Sequence, residues 1–374
     1  IPSPIHIVGT NGKGSTCAFI ESVLKVAGFK SHVYTSPNLV YLNERIKIAG
    51  SQIADITMLS GLEFIRSKLQ EAGLDDKISF FEGLTILAFL EFAKTPADFS
   101  LIEAGLGGRL DATNVIDSKI CVLTSCSYDH TEVLGKSLKE IVMEKVSLNT
   151  QAPFVCSLQR YKEVYNYLPS NAVVYGKDYE IEVCKDGSFK YLSPALCLTL
   201  KEPSLKGIHQ YYNAATAIKV CEMLGIKKEA MEEGLQKAFW PARMQKLSLQ
   251  GKEFYLDGGH NEDGVRAALE YFLREHPDGD VICGFLSRKN LDSIVPQFMR
   301  VGKLHTVSIH STEKSRSAKE LAEEFQRAEI KVASVNEYFY DALLNTGNRG
   351  VLILGSLYLA GECLEYLSQH YGKS

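Results

Sequence analysis

Gly9-Thr10-Asn11-Gly12-Lys13-Gly14-Ser15-Thr16 follows the apolar run Ile5 to Val8 and opens a helix-length segment. In that context backbone N–H groups and a helix N-terminus can cradle phosphates. The glycines let the backbone approach closely, and Lys13 supplies a point charge for terminal phosphates. The hydroxyl of Ser15 or Thr16 can approach a magnesium ion. The spacing departs from the standard pattern, because Ile7 stands where the first glycine belongs and Gly14 where Ser or Thr directly follows the lysine. A plain glycine-rich strand-to-helix turn does not explain why strand, glycines, lysine and hydroxyls coincide, so a nucleotide-binding loop is the expectation.

Further candidates stand at strand ends. Glu103 ends the apolar run Phe99 to Ile102, where a carboxylate can reach the phosphate loop and offer oxygen to magnesium. Ser36 follows a strand ending at Thr35, and His130 follows one ending near Ser125, so both belong at the carboxyl edge of a parallel sheet. Taken singly, each has a plainer reading: a solvated acid, a loop serine, a structural histidine. Lys145, in the helical stretch Glu140 to Leu148, reads alone as an exposed lysine in an ion pair. Asn213, Arg243 and Asp257 read alone as a helix-surface, a linker and a turn residue. Phe80-Phe81 suits core packing and a face for a flat heteroaromatic ring equally well.

The elements that must position these residues alternate. Ile5 to Val8, Ser15 to Ala27 and His32 to Thr35 have the rhythm of βαβ units, continued by strands at Phe99 to Ile102 and Ile120 to Ser125. Between Tyr179 and Leu200 the alternation around Asp186-Gly187 predicts a small antiparallel insertion. Helices are expected over Tyr211 to Leu224 and Lys228 to Phe239, before Pro241 in Trp240-Pro241-Ala242-Arg243. Strands near Phe254 to Leu256, Val281 to Cys283, Leu304 to Ser308 and Val351 to Leu354, separated by helices, predict a second α/β domain. The expected division is 1–240 and 241–374.

The composition excludes several classes. With 374 residues, 45% hydrophobic and 23% charged, the chain can bury large cores and does not read as disordered. A net charge of -4 leaves no basic footprint for nucleic acid. No apolar run approaches the roughly 20 residues of a bilayer span, and the start lacks a signal pattern. Nine cysteines without a C-x-x-C pair, mostly in apolar runs, point to reduced thiols and a cytoplasmic protein.

Taken together, the motifs resemble the folylpolyglutamate synthase and dihydrofolate synthase family, relatives of the Mur ligases. The resemblance runs from Gly9 to Thr16 through Thr35-Ser36-Pro37, Asn43-Glu44-Arg45-Ile46, Glu103 to Asn114 and Asp129-His130. It continues in His209-Gln210, Asn213-Ala214-Ala215, Pro241 to Arg243, Asp257-Gly258-Gly259-His260-Asn261 and Gly355 to Leu359. It implies a P-loop nucleotide-binding domain with a mostly parallel sheet and a small β insertion, followed by a smaller Rossmann-like α/β domain. By the same resemblance Thr10, Asn11, Gly12, Lys13, Gly14 and Ser15 bind ATP. Asn213, Arg243 and Asp257 also hold it, with His260 beside them. Ser36, Glu103, His130 and a carbamylated Lys145 bind Mg2+ at two sites, with Lys13, Glu103, His130 and Lys145 the catalytic set. Leu110-Asp111-Ala112 and Ser79-Phe80-Phe81-Glu82 contact the pterin.

The implied reaction is an ATP-dependent ligation of L-glutamate to dihydropteroate or a reduced folate, through an acyl phosphate, by a monomer. Two other readings stand beside it. Against a Mur-type ligase acting on a nucleotide-linked precursor stands Arg109 to Asn114, and against a catalytically inactive nucleotide-binding regulator stands the retention of Lys13, Glu103, His130 and Lys145. Relatives usually carry a further N-terminal segment that contributes to the pterin site, and this chain opens at Ile1 with the loop following at once. A missing natural segment is therefore expected. Ser287-Arg288-Lys289-Asn290 also stands where many relatives carry an acidic-lysine-acidic sequence.

Overall fold

The apolar run before the phosphate loop forms β1 (Pro4–Val8), buried at every position, as expected for a parallel strand covered on both faces. In the computed structural model, which describes residues 1–74, 77–347 and 349–371, the chain divides into two compact units. One comprises Ile1–Ser204 with His209–Phe239, the other Leu205–Ile208 with Trp240–Ser374.

In the first unit β1 is joined by β2 (Ser31–Tyr34), β3 (Ile46–Ile48), β4 (Ser51–Gln52), β5 (Phe99–Glu103), β6 (Ile120–Leu123), β7 (Phe154–Cys156) and β8 (Val173–Val174). Their order is β4-β3-β2-β5-β1-β6-β7-β8. The pairings of β1 with β5 and β6 are parallel, and only the β2–β3–β4 end runs antiparallel. The sheet's carboxyl edge therefore gathers the ends of β1, β2, β5 and β6, each followed by a segment singled out above. The insertion is β9 (Glu180–Val183), β10 (Phe189–Leu192) and β11 (Cys197–Leu200), an antiparallel sheet of its own. Its first hairpin turns at Asp186, whose carboxylate accepts the backbone and hydroxyl hydrogens of Ser188.

Two apolar clusters flank the large sheet. One gathers Tyr34, Ile46, Leu84, Leu87 and Phe92, the other Val8, Cys121, Leu123, Val142 and Phe154. The helix Lys13–Val26 is clamped against the helix Lys228–Lys237. A Cβ on Gly234 would lie 2.5 Å from the Val23 Cα, and the Ser22 hydroxyl donates to the Gly234 carbonyl at 2.7 Å.

The second unit has one sheet of six strands in the order β12-β13-β17-β14-β15-β16. They are β12 (Gln245–Leu249), β13 (Lys252–Leu256), β14 (Asp280–Cys283), β15 (Lys303–Val307), β16 (Val332–Asn336) and β17 (Val351–Leu354). Its core includes Phe272, Phe285, Phe298 and Phe325. Two of these strands, β12 and β16, are additions to the expected set. β12 forms a hairpin with β13 through Gln250-Gly251, both at positive φ, the geometry of a two-residue hairpin turn.

The α/β architecture, the mostly parallel first sheet and the small antiparallel insertion all agree with the sequence expectation. Among the described residues no helix is long and apolar enough to cross a membrane. The nine cysteines are free thiols, seven of them buried.

Candidate active site

The phosphate loop is stitched to the segment after β6. The Thr10 N–H donates to the Ser125 carbonyl at 2.7 Å, the Thr10 hydroxyl to the Ser127 carbonyl at 3.1 Å, and the Ser125 hydroxyl to the Asn11 carbonyl at 3.3 Å. Gly12 then takes φ 88 as N-cap of the helix that begins at Lys13, a conformation that favours glycine. A Cβ there would also meet the Asn213 Oδ1 at 2.6 Å. Asn213 is thus seated against the loop. Its amide donates to the Gln210 Oε1 at 3.0 Å, and the Gln210 amide to the Ser15 hydroxyl at 3.3 Å. Gln210, given no role above, lies one helical turn before Asn213, a spacing that puts both on one face.

Lys13 and Lys145 converge on one oxygen. Both ammonium groups donate to the Gly9 carbonyl, at 3.1 and 2.9 Å. Lys13 also reaches the Thr10 carbonyl and lies 4.0 Å from the Glu103 carboxylate, which accepts the Ser36 N–H at 3.3 Å. Four predicted residues, Lys13, Lys145, Glu103 and Ser36, are therefore joined around the loop's base. The plain reading of Lys145 as an exposed helix residue does not hold: it is 3% exposed. Burial pushes its ammonium down to about 8, with the Lys13 charge acting in the same sense and Cys126, Asp129 and Asp111 opposing.

His130 lies in the neighbouring loop, at φ 52, as N-cap of the short helix Thr131–Leu134. Its ring is 4.0 Å from the Asp129 carboxylate and 3.7 Å from that of Glu132. Among the described residues no three His, Cys, Asp or Glu side chains converge as a preformed cage. A hard cation here would draw on phosphate and water oxygens, the usual habit of magnesium. One observation fits such a ligand: the Thr16 hydroxyl, in the first turn after the loop, is buried without a hydrogen-bond partner among the described residues.

The glycine-rich segment after β5 packs on the helix carrying Lys145. A Cβ on Gly108 would come within 2.8 Å of the Lys145 carbonyl oxygen. The Arg109 N–H donates to the Glu144 carbonyl at 2.7 Å, and its guanidinium pairs with the Glu144 carboxylate at 2.6 Å. Leu110 is 78% exposed, free to meet a ligand, and Ala112 is half-buried. Asp111 is buried, its oxygens accepting the Leu106 N–H and the Thr113 N–H and hydroxyl.

Ser79 and Glu82 form a reciprocal capping box on the helix Phe80–Lys94, so helix initiation by itself accounts for these two residue types. Phe81 packs on Tyr34 at 5.8 Å. Phe80 is 65% exposed, with the Arg45 guanidinium 5.8 Å from its ring centroid. The even choice between core and ligand face thus resolves differently for the two: Phe81 packs, Phe80 is open.

In the second unit Arg243, Asp257 and His260 form their own cluster. Asp257 is buried and accepts the Met244 and Gly259 N–H groups at 2.9 and 2.8 Å. Burial raises its carboxyl pKa, against the nearby Arg243 charge. Arg243 donates to the Ala242 carbonyl, and the His260 Nδ1 bonds the Gly258 carbonyl. Asn261 caps the helix Glu262–Glu275. In Ser287–Asn290, the carbonyls of Ser287 and Lys289 accept from the Arg316 guanidinium.

Comparison with known proteins points one way. Residues 242–357 match the family described as Mur ligase, glutamate ligase domain. The chain is 30% identical to the dihydrofolate synthase/folylpolyglutamate synthase of Bacillus subtilis, over 96% of this chain and 88% of that protein. E. coli FolC in complex with DHPP and ADP superposes with a TM-score of 0.87 at 25% identity, covering 98% of this chain and 89% of that one. A bifunctional folylpolyglutamate synthase/dihydrofolate synthase with Mn, AMPPNP and L-glutamate bound gives 0.84 at 28% identity, with the same 98% and 89% coverage.

Proposed function

Because the chain belongs to the folylpolyglutamate synthase/dihydrofolate synthase family of Mur-type ligases, we propose that it joins L-glutamate to dihydropteroate, to reduced folates or to both, through an acyl phosphate. The activity is an ATP-dependent amide ligation of glutamate to a folate-type carboxylate, with a divalent metal. The observation that carries the chemistry is the junction at Gly9, where Lys13 and Lys145 share a carbonyl beside Glu103 and Ser36. A phosphate loop, the Lys13 cation and an acid at one sheet edge, with the buried Lys145 amine beside them, suit phosphoryl transfer, in which catalysis is mainly positioning and charge stabilisation.

In this reading Lys13 and the loop N–H groups from Gly12 to Ser15 hold the triphosphate, Thr10 and Asn11 brace the loop against Ser125, and Asn213 contacts the nucleotide. Ser36, Glu103, His130 and Lys145 hold magnesium, at two sites, and the metal would screen the phosphate charge. The low Lys145 pKa favours the neutral amine that can add carbon dioxide. The neutral nitrogen bonds the carbon of carbon dioxide as one C–O π bond opens, one N–H proton leaves to solvent, and a carbamate carboxylate stands in place of the amine. Mass spectrometry of the native protein would show the added carbon dioxide at Lys145; an unmodified amine in active enzyme would remove that assignment. Arg243, Asp257 and His260 are assigned to nucleotide and phosphoryl contact, and Phe80, Leu110, Asp111 and Ala112 to the pterin. Ser79, Phe81 and Glu82 then act by setting the helix that presents Phe80.

The folate-type carboxylate oxygen attacks the terminal phosphorus, breaking its bond to the ADP oxygen. The glutamate amine then attacks the activated carbonyl, loses a proton and expels phosphate. Phosphate release should require a pteroate or folate and glutamate together. Steady release with neither would count against this reading, as would tight ATP binding without turnover.

A further inference from the structure

A buried polar chain extends from Asp111 through Thr113 to His6. His6 lies in β1, two residues before the strand ends at Val8, and is 1% exposed. Its Nε2 is 2.8 Å from the Thr113 hydroxyl. That hydroxyl donates its one hydrogen to the Asp111 Oδ1 at 2.5 Å, so it must accept from His6, which fixes the ring as the Nε2–H tautomer. Asp111 in turn accepts the Thr113 N–H at 3.0 Å and, on its other oxygen, the Leu106 N–H at 2.8 Å. One chain of hydrogen bonds therefore runs from the strand that feeds the phosphate loop to both ends of the turn that displays Leu110.

We propose that His6 and Thr113 are positioning residues for the folate-type substrate: they lock the Asp111 carboxylate and thereby hold the 105–114 turn in register with β1 and its phosphate loop. This rests on the reading of Leu110 and its neighbours as the pterin-contacting segment. Neither residue touches substrate; each acts through Asp111. A neutral donor is what the geometry needs, because a second hydrogen on the ring would gain nothing from Thr113. With the donor removed, the Thr113 hydroxyl loses its orienting partner and Asp111 loses the alignment of one of its three contacts, and a buried partly satisfied network is where order fails first.

The test compares His6→Phe, His6→Gln, Thr113→Val and the His6→Phe/Thr113→Val pair with the wild type. In His6→Phe the KM for the folate-type substrate should rise about tenfold, with the KM for ATP changed far less. His6→Gln, which keeps an N–H donor at similar reach, should restore it. The double variant should be no worse than Thr113→Val alone, because both act through one chain. Amide hydrogen exchange across 105–114 is a second readout that needs no turnover. It should quicken in His6→Phe and Thr113→Val, and recover in His6→Gln.

Unchanged exchange and unchanged KM in a folded His6→Phe would overturn the proposal, as would equal rises in both KM values or additive single-variant effects. If the wild type ligates glutamate to no pterin carboxylate, the functional reading fails instead. The exchange measurement still decides whether His6 holds the turn.

Discussion

His6 also carries a consequence for stability. Burial pushes its imidazole down to about 4 from the ordinary 6.5, with the Asp111 charge opposing. Between those values the unfolded chain binds more protons than the folded one, so stability is fully present above 6.5 and is lost as pH falls towards 4. The contribution is about 3 kcal/mol. Urea titrations across that range should show a steeper acid loss for the wild type than for His6→Gln, whereas parallel profiles would mean that His6 is not buried neutral. Burial acts in the same direction on the nearby Lys145. Lys13 and Lys145 meet at one carbonyl, and the more buried of the two has its proton loosened. In the sequence Lys13 stands in the phosphate loop, whereas Lys145 enters the site only through the family resemblance. Nothing in Glu140 to Leu148 by itself separates a buried lysine from a solvated one, because burial depends on Gly108 allowing the two backbones to approach.

At the scale of elements, the strands feeding the site were legible because they are short apolar runs ended by polar or glycine residues. β1, β2, β5 and β6 lie within a residue or two of their expected bounds. The helix after the loop starts at Lys13 rather than Ser15, since the left-handed Gly12 lets the next residues enter the helix at once. In the first unit β3, β4, β7 and β8 are also additions to the expected strands, each of two or three residues, and the two added to the second unit have a physical reason. In β12 only Leu247 and Leu249 are buried, and in β16 no residue is fully buried. Edge strands such as these carry little apolar signal. The capping box at Ser79 and Glu82 is legible in the serine and glutamate spacing.

The phosphate-loop helix packs closely on the helix carrying Gly234, so Gly234→Ala tests its placement. The added Cβ would meet Val23 backbone atoms at 2.5 and 2.8 Å, which side-chain motion cannot relieve. Denaturation should show a loss of about 2 kcal/mol, accompanied by weaker ATP binding. Unchanged values would mean that the helix pair is looser than described.

The described residues form two α/β units, the first with the eight-stranded sheet and the small antiparallel insertion, the second with a six-stranded sheet. The fold class and the residues gathered at the first unit's carboxyl sheet edge were readable from the alternation of strands and helices. The hydrogen-bond chains through Gln210, Ser127, His6 and Thr113 were not, because they join residues more than a hundred positions apart. Since no His, Cys, Asp or Glu cage is preformed among the described residues, the fold should not depend on metal. Chelation should abolish glutamate incorporation while leaving thermal unfolding of the nucleotide-free protein unmoved. A large fall in the unfolding temperature would point to a structural ion.

In the proposed reaction the folate-type carboxylate is activated as an acyl phosphate. The most direct test supplies dihydropteroate or a reduced folate labelled with heavy oxygen in the reacting carboxylate, together with ATP, magnesium and glutamate, and analyses the released phosphate by mass. Attack by the carboxylate on phosphorus followed by displacement by the glutamate amine predicts that one labelled oxygen leaves with the phosphate for each amide formed. Amide formed with unlabelled phosphate would contradict the account.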